Sequence, residues 1–326
     1  MNDSNMPASV TTITSATTST TATNNTNALL LHTFEVRLPG PLDIPASLEL
    51  FRHSGDDLID RWDGTTLVRT LPIGSQKVAY ACTIAGTVDE PALHVTIEDA
   101  RYREAIERAL KASFVAAPPE FAELLRADPI IAALDERHRG LRPVLQFDLL
   151  AALVRSISAQ QVNLRWAAIT RRRLAETFGE RHTVGQHFVY SLNAERLAAA
   201  SVEEIRALQF TTRKAEYITG VARAIAGGKL SLDTLAQLPD EEIIARLTAL
   251  RGIGRWTAEW ILARSLGRPT VVAGDLGVRK AVGLAYLGTP LPSEKAVREA
   301  TAHRGTSSAI AQALLLASLS QSAPTM

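Results

Sequence analysis

The chain has 326 residues, 46% of them hydrophobic and 21% charged, and a formal net charge of +1. Those values describe a soluble globular protein of two or three domains whose core needs no covalent staple. A single cysteine, Cys82, excludes an internal disulfide, a cysteine-only zinc site and a four-cysteine iron–sulfur cluster, and fits a reducing compartment.

Residues 1–28 are mostly Thr, Ser, Asn and Ala with one charge, Asp3. They lack the apolar content to offset ordering entropy, so a disordered tail is expected. No apolar run reaches membrane-span length, and the first basic residue is Arg37, which leaves no basic n-region for a signal peptide. A cytoplasmic protein is the expectation.

Residues 29–117 read as an α/β domain. Leu31–Leu38, Thr65–Thr70, Val78–Ala85 and Leu93–Ile97 are strand-like, rich in Val, Ile, Thr and Tyr and bounded by turn residues such as Asp63-Gly64 and Gly74-Ser75. Ala46–His53 reads as a short helix. Ala100–Phe114 has helical spacing at Tyr102, Ile106 and Leu110. This order suits an antiparallel sheet with helices on one face.

Ala117-Pro118-Pro119 is the break. Residues 118–326 read as all-α, in successive amphipathic helices with short connections: Leu149–Ser158, Leu164–Phe178, a helix opened by the capping box Ser201-Val-Glu-Glu204, Arg213–Ala226, a helix capped by Asp240, Arg255–Leu266, Leu276–Leu287 and Ser307–Ser318. The fold class expected is therefore α+β. Charge divides the same way. Residues 1–118 carry 9 basic and 14 acidic side chains, and residues 119–326 carry 26 and 20. A basic C-terminal part suits contact with a polyanion, although scattered surface charge gives the same count.

The sharpest local signal is Leu250-Arg-Gly-Ile-Gly-Arg-Trp-Thr-Ala258. Two glycines flanking one apolar residue let the chain turn tightly while Ile253 anchors the turn. The amides of such a turn and of the following helix start form an anion site that suits a nucleic-acid phosphate. An ordinary αα-hairpin uses glycines in the same places. Trp256 and Trp260, four apart, share a helix face: they either pack in the core or hold a flat base. Asp275, in Val271-Val-Ala-Gly-Asp-Leu-Gly-Val-Arg279, is a natural N-cap. A carboxylate so placed is also held ionised and aimed, ready to stabilise a sugar cation or orient water. Arg171-Arg-Arg173 reads as a solvated face with phosphate contact as the alternative, His138, His182 and His187 show no metal-ligand spacing, and Cys82 reads as core.

The hairpin together with Asp275-Leu-Gly-Val-Arg279 resembles the helix–hairpin–helix DNA glycosylases, and within them the bacterial 3-methyladenine DNA glycosylase II family. Ala152-Leu-Val-Arg-Ser-Ile-Ser-Ala-Gln-Gln-Val162 is similar to that family's DNA-insertion segment, and Phe210-Thr-Thr-Arg-Lys-Ala-Glu-Tyr217 to one of its helix starts. The resemblance covers about residues 30–320. It implies a base flipped into a pocket, with Asp275 as the catalytic carboxylate and Trp256, Trp260 and Leu314 lining the base pocket. It also implies DNA contacts from Gln160, Gln161 (the wedge), Arg251, Gly252, Ile253, Gly254, Arg255 and Thr257. No cofactor is implied beyond a monovalent cation at the hairpin carbonyls. The partner would be double-stranded DNA, met by a monomer associated with the nucleoid. Arg255-Trp256 stand where bifunctional relatives carry a Schiff-base lysine, so hydrolysis without strand cleavage is expected. Gln161 replaces a common leucine, Gly274 replaces a common acid, and Thr306–Leu319 lacks an aromatic. A non-catalytic DNA binder on the same scaffold, or a glycosylase for oxidised or deaminated bases, are the alternatives.

Overall fold

The structure is a computed structural model, and it describes residues 31–52 and 55–321. The expected tail, 1–28, lies outside those residues.

Strands β1 (His32–Arg37), β2 (Arg61–Trp62), β3 (Thr66–Ile73), β4 (Gln76–Gly86) and β5 (Pro91–Ile97) form one antiparallel sheet in the order β1-β5-β4-β3-β2. Alternation decides its faces. Leu67, Leu71, Tyr80, Cys82, Leu93 and Val95 point to one side, where Ile44 and Leu48 of α1 (Ile44–Arg52) and Ile106 and Leu110 of α2 (Arg103–Ala112) cover them. Cys82 is buried in β4 among these residues, as its strand context suggested.

The remainder is mainly helical: α3 (Phe121–Ala127), α4 (Pro129–Arg137), α5 (Leu149–Ala159), α6 (Leu164–Phe178), α7 (Ala194–Ala199), α8 (Val202–Ala207), α9 (Thr212–Ala226), α10 (Leu232–Ala236), α11 (Asp240–Thr248), α12 (Arg255–Ser265), α13 (Leu276–Val282), α14 (Glu294–Thr301) and α15 (Ser308–Gln321). The Ser201–Glu204 capping box forms with both reciprocal hydrogen bonds. Asp240 does not cap its helix: Pro239 occupies the N-cap and Asp240 opens the first turn. The helix expected over 276–287 ends at Val282 and continues as a single π turn, Gly283–Leu287.

The α+β class stands, with one correction to the helices-only expectation for residues 118–326. Strands β6 (Gly179–Val184) and β7 (His187–Leu192) form an antiparallel hairpin between α6 and α7. Its two-residue turn places Gly185 at φ +57, a value glycine adopts without strain. Val184 and Val189 pack on Val68 and Ala81, on the sheet face away from α1 and α2. The hairpin therefore exists because the sheet's second face needs cover. The alternation His187-Phe-Val-Tyr-Ser-Leu192 after a glycine turn was its sequence signal.

Two further apolar clusters position the site. One gathers α5, α6, α9, α11 and α12 around Leu153, Ile157, Ile218, Leu247 and Ile261. The other joins α3 and α4 to α13, α14 and α15 around Ile131, Val282, Val297 and Leu314. Helix α12 belongs to the first cluster and α13 to the second, and the chain between them carries Asp275.

Candidate active site

The hairpin forms as its glycines suggest. Gly252 has φ +87, and a Cβ there would fall 2.2 Å from the Tyr217 ring, so no larger residue fits. Ile253 is buried and anchors the turn in the α5–α12 cluster. Gly254 takes the N-cap position of α12 and offers no side-chain cap. The first amides of this 11-residue helix thus remain donors at an exposed turn.

Asp275 divides its two oxygens. Oδ1 accepts from the Val278 amide at 3.0 Å, which is the N-cap bond of α13. Oδ2 accepts from Trp256 Nε1 at 3.1 Å and from Trp260 Nε1 at 3.3 Å. The capping and functional readings of this residue are therefore compatible, one on each oxygen. The Trp pair shares a helix face as its spacing requires, and both rings are half-buried. Their polar edges converge on the carboxylate, a connection the sequence did not reveal. Gly277 leaves little room as well: a Cβ there would lie 3.1 Å from Asp275 Oδ1 and 3.2 Å from Leu316 Cδ2.

Among the expected DNA contacts, Gln160 reaches across to the hairpin, its Nε2 donating to the Gly252 carbonyl at 3.0 Å. Gln161 follows at φ +55 and is exposed at the end of α5. Arg251 is exposed, 3.1 Å from Glu216 and 6.0 Å from the Tyr217 ring centre. Arg255 is tied to Glu241 at 3.2 Å and to the buried Glu259 at 2.9 Å, and Arg298 of α14 shares Glu259 at 2.6 Å. The Leu250 carbonyl accepts from the Ile253 amide, and the Gly252 carbonyl from Gln160. Among the described residues no group of His, Cys, Asp or Glu side chains has metal-site geometry.

Two expected side chains are buried. Thr257 is 1% exposed, so only its backbone amide is left for a phosphate. Leu314 is fully buried in the α3–α15 cluster, because α15 is apolar on nearly every side and packs all round. Leu316 is an α15 residue that approaches Gly277, its Cδ2 3.2 Å from where a Gly277 Cβ would stand. Arg171 is neither a solvated residue nor a phosphate contact. It is buried, with Nε 2.8 Å from Asp57 Oδ2 and Nη1 2.9 Å from Ser158 Oγ.

Three residues were missed. Leu316 is one. Glu294 is another, its Oε1 3.3 Å from where a Gly274 Cβ would stand. The third is Arg264, whose guanidinium lies 5.2 Å from the Trp260 ring centre. Its position eight residues after Trp256, on the same helix face, was the available signal.

A glycine hairpin feeding a helix that holds a carboxylate at the start of the next helix defines a helix–hairpin–helix protein of the DNA-repair kind. The sequence model for "HhH-GPD superfamily base excision DNA repair protein" matches residues 154–305. DNA-3-methyladenine glycosylase 1 of Schizosaccharomyces pombe is 34% identical over 176 residues, covering 50% of this chain and 73% of that protein. The chain belongs to this HhH-GPD superfamily. It is also 35% identical over 153 residues to the putative DNA-3-methyladenine glycosylase YfjP of Bacillus subtilis, covering 47% of this chain and 52% of that one. A second Bacillus subtilis protein, DNA-3-methyladenine glycosylase, is 33% identical over 156 residues, with 48% and 52% covered. The chain thus spans about half the length of these two relatives. Among solved structures, a 3-methyladenine DNA-glycosylase from Archaeoglobus fulgidus superimposes with a TM-score of 0.76 at 24% identity, over 87% of this chain and 97% of that one. At that identity the likeness is one of fold.

Proposed function

We propose that the chain is a monofunctional DNA glycosylase that hydrolyses the N-glycosidic bond of alkylated bases, 3-methyladenine and 7-methylguanine, in double-stranded DNA. The observation that carries this reading is the Asp275 carboxylate, fixed on one oxygen by the α13 amide and on the other by two indole N–H groups beside the glycine hairpin. The names of the curated relatives support it.

The hairpin and the uncapped start of α12 hold a backbone phosphate, and this contact sets position without reading sequence. The target nucleotide is flipped out of the stack, and Gln161, at the exposed end of α5, fills the gap. The base lies against the Trp256–Trp260 face, whose electron-rich rings suit a cationic alkylated purine. As the C1′–N bond breaks, its electron pair leaves with the base and positive charge gathers on the sugar. Asp275, aimed by three donors, stabilises that charge and orients the attacking water, which delivers hydroxide to C1′ and its proton to the carboxylate or solvent. The reaction needs no metal or redox cofactor and one copy of the chain. An enzyme acting on chromosomal DNA works in association with the nucleoid.

The test is free-base release from methylated duplex DNA, read by mass spectrometry. Asp275→Asn keeps a capping oxygen for Val278 but turns an amide toward the two indoles. Base release is expected to fall at least about a hundredfold while duplex binding persists. Unchanged turnover in this variant would end the catalytic assignment. Absence of release from the wild type, with binding retained, would favour a non-catalytic DNA binder.

A further inference from the structure

Trp256, Trp260 and Arg264 follow one another at four-residue spacing on α12, so one helix face carries two rings and then a guanidinium. The Arg264 guanidinium lies 5.2 Å from the Trp260 ring centre, on the ring whose N–H holds Asp275. Neighbouring arginines are committed to protein partners: Arg255 to Glu241 and Glu259, Arg298 to Glu259, and Arg279 to the Pro292 carbonyl. Arg264 makes no side-chain hydrogen bond to any described residue. Burial lowers its pKa to about 10, and the Asp275 carboxylate opposes that shift. It is therefore protonated at neutral pH, stacked in the site and rich in unused donors.

We propose that Arg264 is a base-reading residue, donating to O6 of a flipped guanine and so favouring guanine-type over adenine-type lesions. This rests on the glycosylase reading above. A guanidinium has five donors and no acceptor. A guanine presents O6, an acceptor, where an adenine presents an N6 amino group, a donor. Against Arg264 the first forms a charge-assisted hydrogen bond and the second leaves two donors opposed. In DNA, 7-methylguanine and 3-methyladenine are both cationic, so charge repulsion from Arg264 falls on both and the edge decides between them. As the glycosidic electron pair moves onto the departing guanine, density at O6 rises and the contact strengthens, which aids departure as well as selection.

The test compares wild type with Arg264→Met, which keeps an apolar stem on Trp260 and removes every donor, and with Arg264→Lys, which keeps charge without the planar fork. The readout is the ratio of 7-methylguanine to 3-methyladenine released from one methylated duplex. That ratio is expected to drop about tenfold in Arg264→Met, the equivalent of one charge-assisted hydrogen bond, and to a lesser extent in Arg264→Lys. A ratio within about twofold of wild type in Arg264→Met, with release otherwise proceeding, overturns the proposal and leaves the glycosylase reading intact. Tryptophan fluorescence titration with free 7-methylguanine and free 3-methyladenine supplies a second readout that needs no catalysis. If no protein releases base, the glycosylase reading falls, and the titration alone decides Arg264: a preference for 7-methylguanine lost in Arg264→Met sustains the contact, and equal affinities refute it.

Discussion

Asp275 divides its work between two oxygens, and the division explains why the site is built as it is. An N-cap carboxylate needs only the Val278 bond on Oδ1. The two indole N–H groups on Oδ2 add nothing to capping; they fix the direction in which the carboxylate faces the site. Trp256→Phe and Trp260→Phe each keep a ring and delete a donor. If orientation of Asp275 is their work, kcat for base release should fall about tenfold in each, with KM changed less. A raised KM at unchanged kcat would instead assign the rings to base stacking alone.

At the scale of elements, a buried ion cluster ties the sheet domain to the helices behind the loop that carries Gln160 and Gln161. Asp57, fully buried, lies 2.8 Å from Arg171 Nε, 3.1 Å from Arg155 Nη1 and 3.4 Å from Arg52 Nη2. Asp60 pairs with Arg69 at 2.7 Å and with Arg155 at 2.9 Å. Arg171 also bonds the Ser158 hydroxyl, and Lys214 bonds the Ser158 carbonyl at 2.8 Å, so the last turn of α5 is pinned just before Gln160 and Gln161. Burial alone would push Asp57 upward, but Arg155, Arg171 and Arg52 overcome it and hold the carboxyl well below the usual range. A carboxyl whose folded pKa is depressed contributes stability above its unfolded pKa and loses it as pH falls through the folded value. Asp57→Asn, which leaves Arg52, Arg155 and Arg171 short of one charge, should cost about 3–5 kcal/mol at pH 7. The gap from wild type in urea denaturation should narrow as pH falls below about 4. A pH-independent gap would locate the loss in packing.

Across the whole molecule, the basic excess and the site fall in the same part of the chain. The acidic excess lies in residues 1–118, and the basic excess in the part that carries the hairpin, the Trp face and the α5 loop. Many of those basic groups are already paired, Arg171 and Arg255 among them, so the free electrostatic footprint is smaller than the count implies. Duplex affinity should fall linearly with log salt concentration, and Arg251→Gln should lower that slope by about 1 if Arg251 exchanges Glu216 for a phosphate. An unchanged slope would place the phosphate contact on the backbone amides of α12 alone.

Local order was legible in the residues themselves. Helix α6 begins and ends where its periodicity put it, Leu164–Phe178, and the Ser201–Glu204 box closes as its spacing demands. The hairpin glycines, Ile253 and Asp275 could be picked out because turns and caps depend on a few neighbouring residues. The β6–β7 strands were missed because their cause is distant: the far face of the sheet, reached through Val68 and Ala81. Arg171 read as surface because its partner, Asp57, lies 114 residues away in sequence. The same holds for the indole–carboxylate contacts and for the burial of Leu314. Short-range chemistry was thus fixed by neighbours in sequence. Which charges are buried, which carboxylate the tryptophans hold, and which arginine remains free beside them depended on contacts between distant segments, which only the packed chain brings together.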